Sequence, residues 1–204
     1  MKMNYQLEME KIINTIEGKP RLFLHSCCAP CSSAVIERLA EHFELIIYYY
    51  NPNIEPEQEY KKRFQEQKRL IEEAGFAKGI LIVEGEYDNS RFRELARGME
   101  DAPEGGVRCR ECIRLRMEDT AARAKENGCE FFTTTLSVSP HKNAEYINQI
   151  GIELEKEYSV KYLFADFKKK DGYKRSIALS KEYDLYRQEY CGCLFGKTDV
   201  GGND

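Results

Sequence analysis

The sequence predicts a single α/β domain over residues 1–204, built on a mostly parallel, doubly wound sheet with helices on both faces. Two observations carry this. Short apolar runs of strand length alternate with longer segments of helical periodicity, and the chemistry-bearing motifs follow the strands, where sheets of this kind gather ligands. The 204 residues are 42% hydrophobic, with ten Phe and thirteen Tyr, enough for one substantial core.

The elements follow in chain order. Leu7, Met9, Ile12, Ile13 and Ile16 recur at helical spacing, and Gly18-Lys19-Pro20 ends the pattern, which gives a short N-terminal helix within 5–18. Arg21-Leu22-Phe23-Leu24-His25 is a compact strand. It runs into the Cys27-Cys28-Ala29-Pro30-Cys31 loop and a helix carrying Val35, Ile36, Leu39 and Ala40. Residues 43–50 form a buried strand, Asn51-Pro52-Asn53 a turn, and 57–74 a charged helix stopped by Gly75. Residues 79–83 make the next strand, and a short helix over 89–98 follows. Beyond the Gly105-Gly106 loop come a long helix over 110–127 and a Thr-rich strand over 130–136. Ser139-Pro140 has the pattern of an N-cap followed by a first-turn proline, so a helix is expected to open there. A strand near 162–164 and a helix over 176–183 complete the fold, and 194–204 is expected to be a flexible tail.

The longest apolar stretches fall well short of the roughly 20 residues that span a bilayer, and the N-terminus is polar, without a secretory signal's apolar region. No membrane segment is expected, and a cytoplasmic location is. Thiols stay reduced in that compartment, so eight cysteines point to metal binding or redox chemistry rather than a disulfide scaffold. The formal net charge of −4 gives the molecule no general attraction to polyanions, so nucleic-acid contact would need a local basic patch.

Seven cysteines fall in three groups, Cys27-Cys28-x-x-Cys31, Cys109-x-x-Cys112 and Cys191-Gly192-Cys193, with Cys129 alone. On a helix, residues three apart share a face, so Cys109 and Cys112 can present two thiolates to one centre while the first group wraps it from a loop. Structural zinc and an iron–sulfur cluster compete for the set. Adjacent Cys27-Cys28 favours the cluster, whose separate irons can take neighbouring thiolates, whereas zinc pairs use two intervening residues. Cys191-Gly192-Cys193 reads either as a reversible dithiol, since so small a disulfide ring is strained and labile, or as a pair of ordinary thiols or further metal ligands. Cys31 opens a helix, which should lower its pKa, and is a spare ligand or a catalytic thiol. Cys129 reads as a small buried hydrophobe.

His25, ending a buried strand, reads as a satisfied core histidine able to support the neighbouring loop. His141 and Lys142, placed in the first turn of the expected helix, could bind phosphate. The segment 166–175 packs five cations and two aromatics into ten residues, a mixture that suits phosphates and a stacked base, although charge runs are usually solvated faces.

The ordered motifs His25-x-Cys27-Cys28-Ala29-Pro30-Cys31-Ser32, Tyr49-Tyr50-Asn51-Pro52-Asn53-Ile54, Cys109-x-x-Cys112, Phe132-Thr133-Thr134-Thr135-Leu136, Ser139-Pro140-His141-Lys142, Asp166-Phe167-Lys168 and Leu185-Tyr186-Arg187-Gln188-x-Tyr190-Cys191-Gly192-Cys193 resemble the QueH-type epoxyqueuosine reductases along nearly the whole chain. The resemblance implies a Rossmann-like, nucleotide-hydrolase-like sheet and reduction of epoxyqueuosine to queuosine at the wobble position of tRNA, the last step of queuosine synthesis. It also implies a [4Fe-4S] cluster on Cys27, Cys28, Cys109 and Cys112, and a redox-active Cys191/Cys193 pair. Cys31 joins these as a catalytic candidate.

Turning an epoxide into an alkene takes two electrons and two protons, while a cluster delivers electrons singly. A dithiol supplies the pair, an unidentified electron donor must restore it, and a Lewis-acidic iron would help the oxygen leave. That iron is either a cluster iron with a ligand lost or an additional mononuclear iron. Asn51, Ser139, His141, Lys142, Lys168, Lys169 and Arg175 are the expected contacts to tRNA. Two other readings stand beside this one. One is a zinc-bearing RNA-binding module with structural cysteines; the other is an ATP-dependent tRNA thiolation enzyme.

Overall fold

The computed structural model describes residues 3–188 and 190–196. Five strands, β1 (Arg21–His25), β2 (Glu44–Tyr49), β3 (Leu81–Glu84), β4 (Phe131–Thr134) and β5 (Lys161–Tyr162), form one sheet of order β3-β2-β1-β4-β5 with every pairing parallel. Seven helices among the described residues cover it: α1 (Tyr5–Thr15), α2 (Ala29–Leu39), α3 (Glu57–Glu73), α4 (Asn89–Ala96), α5 (Val107–Glu126), α6 (Ala144–Tyr158) and α7 (Gly172–Glu182). The α/β expectation holds. No helix among the described residues is long and apolar enough to cross a membrane.

The central strands are continuous apolar runs because both of their faces are buried. Leu22, Leu24, Leu45 and Ile47 pack on one side with Val35, Ile36 and Leu39 of α2 and Leu70 of α3. Phe23 and Ile46 point the other way, onto Ile113, Met117 and Ala121 of α5 and Ile147, Ile150 and Leu154 of α6. Period-two alternation therefore builds a core on each face.

Several boundaries differ from the expectations, each for a local reason. The Thr-rich strand stops at Thr134 because the Thr134 hydroxyl accepts from the Leu136 amide at 3.2 Å, turning the chain into a 3-10 turn at Thr135–Val138. Ser139 does not cap a helix. Its hydroxyl accepts from the His141 amide at 3.3 Å within a turn, and α6 starts only after Asn143, whose side chain caps Glu145 and Tyr146. His141 and Lys142 consequently stand on that turn and not in a first helical turn. α5 starts earlier than expected, with Gly106 as its N-cap, so Cys109 and Cys112 both lie within its first two turns. α7 likewise starts at Gly172, which makes Lys174 and Arg175 helical. The N-terminal helix ends at Thr15 rather than 18, and the last strand is confined to Lys161–Tyr162. Of the expected tail, Leu194–Gly196 form a 3-10 turn and the rest lies outside the described residues.

Chain order places the functional machinery. The chain runs outward from β1 to β2 and β3, then returns to place β4 on the other side of β1. The carboxyl ends of β1 and β4 thus flank the point where the winding reverses, the position at which open parallel sheets hold ligands. His25 pairs with Thr134 across that junction.

Candidate active site

A cavity of about 620 Å³ opens at this junction. Cys27, Cys28 and Cys31 line it from the end of β1 and the start of α2, and Leu136, Val138, Ser139, Pro140, His141 and Lys142 from the segment after β4. Arg116 of α5, Arg63 of α3 and Cys191 of the C-terminal segment close the walls.

The three cysteines converge because Cys28 is the extended N-cap of α2 and Pro30 stands in its first turn, so the chain reverses within one helical step. All three Sγ atoms lie within 4.8 Å of one another, with Cys27 and Cys28 at 3.8 Å. The Thr135 hydroxyl lies 3.5 Å from Cys27 Sγ and accepts from the Cys27 amide at 3.3 Å, tying this loop to β4. Hydrogen bonds from the Cys28 and Cys31 thiols hold the Cys27 pKa well below the usual thiol value. Donation to the Cys27 sulfur pushes Cys28 up to about 12 and Cys31 up as well. The sequence expectation of a lowered Cys31 pKa is therefore wrong: donating a hydrogen bond to a neighbouring thiolate holds the proton on Cys31 and outweighs the helix start. Three converging thiols with one held as thiolate form a donor set suited to a soft metal.

A fully buried polar layer supports this loop. His25 is bracketed by Thr134 Oγ1 at 2.8 Å from Nδ1 and the Tyr50 carbonyl at 3.0 Å from Nε2, as expected of a satisfied core histidine. Burial, then the charge of Arg116, pull its pKa down to about 4, so the imidazole is neutral near pH 7. Ser26 and Ser32 both donate to Gln67 Oε1, at 2.6 and 2.8 Å, and Asn51 Nδ2 donates to the Ser26 carbonyl at 2.9 Å. Asn51 is thus turned inward, supporting the cysteine loop from behind.

The other expected residues divide. Cys109, half-buried, accepts from the Gly105 amide at 3.3 Å. Cys112 is buried with Phe92, Ala96 and Cys193. Among the described residues neither joins the Cys27 group within 4.8 Å. Cys191 faces the cavity, its pKa lowered by the Cys193 thiol that donates to it, against burial, and by the charges of Lys142 and Arg116. Gly192 has a φ of +98°, and a Cβ there would fall 2.7 Å from Ile54 Cγ1. Cys129 is a buried core residue, as expected.

Ser139, His141 and Lys142 line the cavity, as does Tyr173 of the basic segment, whereas Lys168, Lys169 and Arg175 are not in its wall. Lys168 pairs with Asp166, and Arg175 with Glu37 of α2. The Lys169 carbonyl accepts from Arg38 at 3.3 Å. Sequence reasoning missed Arg63, Arg116 and Arg187, which line the cavity from α3, α5 and the C-terminal segment. Arg63 and Arg116 carry no motif, and Arg187, though within the 185–193 motif, has no role legible from it; only the tertiary fold aims them inward.

A family model described as epoxyqueuosine reductase QueH matches residues 22–199, which include every one of the cysteines. The chain belongs to the QueH epoxyqueuosine reductase family. Proteins named epoxyqueuosine reductase QueH from Staphylococcus epidermidis and Streptococcus pyogenes are 40% and 39% identical, each over 98% of this chain and over 87% and 80% of their own lengths. One from Thermotoga maritima is 38% identical over 85% of this chain and 88% of its own length. The QueH likeness therefore spans the sheet, the cysteine loop and the C-terminal cysteine pair together.

Proposed function

We propose that this chain reduces epoxyqueuosine to queuosine in tRNA. The observation that carries the reading is that Cys191, one of a pair, faces the same cavity as the converged thiols of Cys27, Cys28 and Cys31. The cavity takes the modified nucleoside, and Ser139, His141 and Lys142 contact it from the turn after β4. Lys168, Lys169 and Arg175 lie on the outer surface that the rest of the tRNA would meet, and Asn51 acts only by holding the cysteine loop.

The balance of the reaction suits the residues. Opening the epoxide to an alkene and water consumes two electrons and two protons, and oxidation of the Cys191 and Cys193 thiols to a disulfide releases both. A lowered Cys191 pKa, with the proton kept on Cys193, makes Cys191 the sulfur that reacts first. A separate electron donor then re-reduces the disulfide. Cys27, Cys28 and Cys31 would hold an iron–sulfur centre, which when bound supplies single-electron transfer and a Lewis-acidic iron. Cys109 and Cys112, expected as ligands with Cys27 and Cys28, lie outside this group, Cys112 beside the dithiol, which favours Cys31 as the third ligand. Thiol chemistry of this kind belongs in the reducing cytoplasm.

Two features weaken the other readings. Pro30 has no amide hydrogen at the helix start where a nucleotide-binding loop would offer donors to phosphate, which disfavours ATP-dependent thiolation. A structural zinc module gives no reason for Cys191 of the C-terminal pair to face the cavity.

Anaerobically purified protein, incubated with epoxyqueuosine-containing tRNA and a chemical reductant, should yield queuosine on nucleoside mass analysis. Absence of conversion by protein shown to hold iron and sulfide would overturn the proposal.

A further inference from the structure

Arg116 is a buried cation with an unusual environment. It is 4% exposed, its Nε donates to the Cys112 carbonyl at 3.1 Å, and no carboxylate of the described residues pairs with it. Taking a guanidinium out of water is costly unless an anion compensates it. The other buried arginine of the cavity, Arg63, has such a partner in Glu59, 2.7 Å away. Lys142 stands on the same cavity wall, also without an ion pair among the described residues. Arg187 adds a third cation, engaged by the Ser180 hydroxyl at 3.3 Å and the Tyr173 ring. Among the described residues that line the cavity, Glu104 is the one that bears a carboxylate. A molecule with a formal charge of −4 therefore gathers Arg116, Lys142 and Arg187 round one recess, set against Glu104 and the low-pKa thiols of Cys27 and Cys191.

We propose that Arg116 and Lys142 form a subsite for one phosphodiester of the substrate RNA, next to the nucleotide presented to the cysteines. The guanidinium fork matches two phosphate oxygens, and Nε anchored on the Cys112 carbonyl fixes its orientation. Lys142 supplies a mobile point charge from the opposite element, and the turn held by Ser139 keeps it at the cavity mouth. The subsite rests on tRNA being the substrate, and it adds what the reductase reading leaves open: which phosphate contact places the nucleoside.

The test uses full-length anaerobic protein and an anticodon stem-loop RNA in which single loop phosphodiesters are replaced, one at a time, by uncharged methylphosphonate. In the unaltered protein, one linkage should weaken binding by roughly tenfold or more, as expected for a lost charge-assisted hydrogen bond. In Arg116→Gln the RNA should bind weaker by a similar factor, and that linkage alone should become silent. Arg116→Lys should recover part of the affinity, and Lys142→Gln, at a turn, should reduce the same linkage's effect without disturbing the fold. If every linkage contributes equally in Arg116→Gln and unaltered protein, the subsite does not exist. If Arg116→Gln and Arg116→Lys change iron content but leave the linkage profile intact, Arg116 serves the cysteine centre alone and the proposal is overturned. Linkage-specific binding by protein that fails to reduce the tRNA would leave the subsite standing and remove the reductase reading.

Discussion

The Arg63 guanidinium of α3 donates to the carbonyl of Cys191, 128 residues further along the chain, at 3.2 Å. The same side chain reaches the Tyr190 carbonyl at 3.5 Å and is neutralised by Glu59, whose carboxylate also accepts from the Tyr186 hydroxyl. The Glu55 amide donates to the Gly192 carbonyl at 2.9 Å. These bonds fasten the C-terminal cysteine segment to the body of the protein.

Replacing Arg63 with Met should destabilise the protein by about 3 kcal/mol, because the half-buried Glu59 loses its partner. Urea unfolding followed by circular dichroism measures this. Arg63→Lys should lose less, keeping the charge and losing the fork.

Cys191→Ser and Cys193→Ser should each leave iron content and visible absorbance intact while lowering turnover tenfold or more. Loss of colour in either variant would make the pair ligands rather than an electron store.

Cys27→Ser, Cys28→Ser and Cys31→Ser should each cut bound iron severely, whereas Cys109→Ser should retain most of it. Iron and sulfide assays on anaerobic preparations decide the matter. Retained iron in Cys31→Ser with loss in Cys109→Ser would restore the ligand set expected from the sequence.

Asn148→Leu should cost about 2–4 kcal/mol. The side chain of this fully buried residue accepts from the Ala165 amide at 3.0 Å and donates to the carbonyls of Ala165 and Ala144, so an apolar replacement strands several buried backbone groups. The midpoint of chemical unfolding should fall with the slope unchanged.

The sheet could be read from the sequence because its strands are short apolar runs separated by helical periodicities, a signal that survives without knowledge of neighbours. The cysteine groups were equally visible, as was the inward role of His25. What could not be read depends on which groups meet. Competition between the Thr134 side chain and the ladder moved the end of β4, and Asn143 outcompeted Ser139 as the cap of α6. Arg116 and Arg63 look in sequence like solvated helix charges and are buried only because α5 and α3 flank the cavity. The 166–175 segment looks like a binding site in sequence, yet several of its cations are matched by nearby acids, among them Glu37 of α2 and Glu10 of α1.

The cysteine cradle belongs to the early part of the chain, and the wall that carries Cys191 to its end. During synthesis the sheet and the converged thiols can assemble while the last segment has yet to emerge, since chains fold from the N-terminus as they are made. The cradle is then open on one side, and it closes only when Arg63 and Glu55 capture the arriving carbonyls of Cys191 and Gly192. Birth order thus leaves a window in which the thiols are reachable from solvent, before the finished protein narrows the way in.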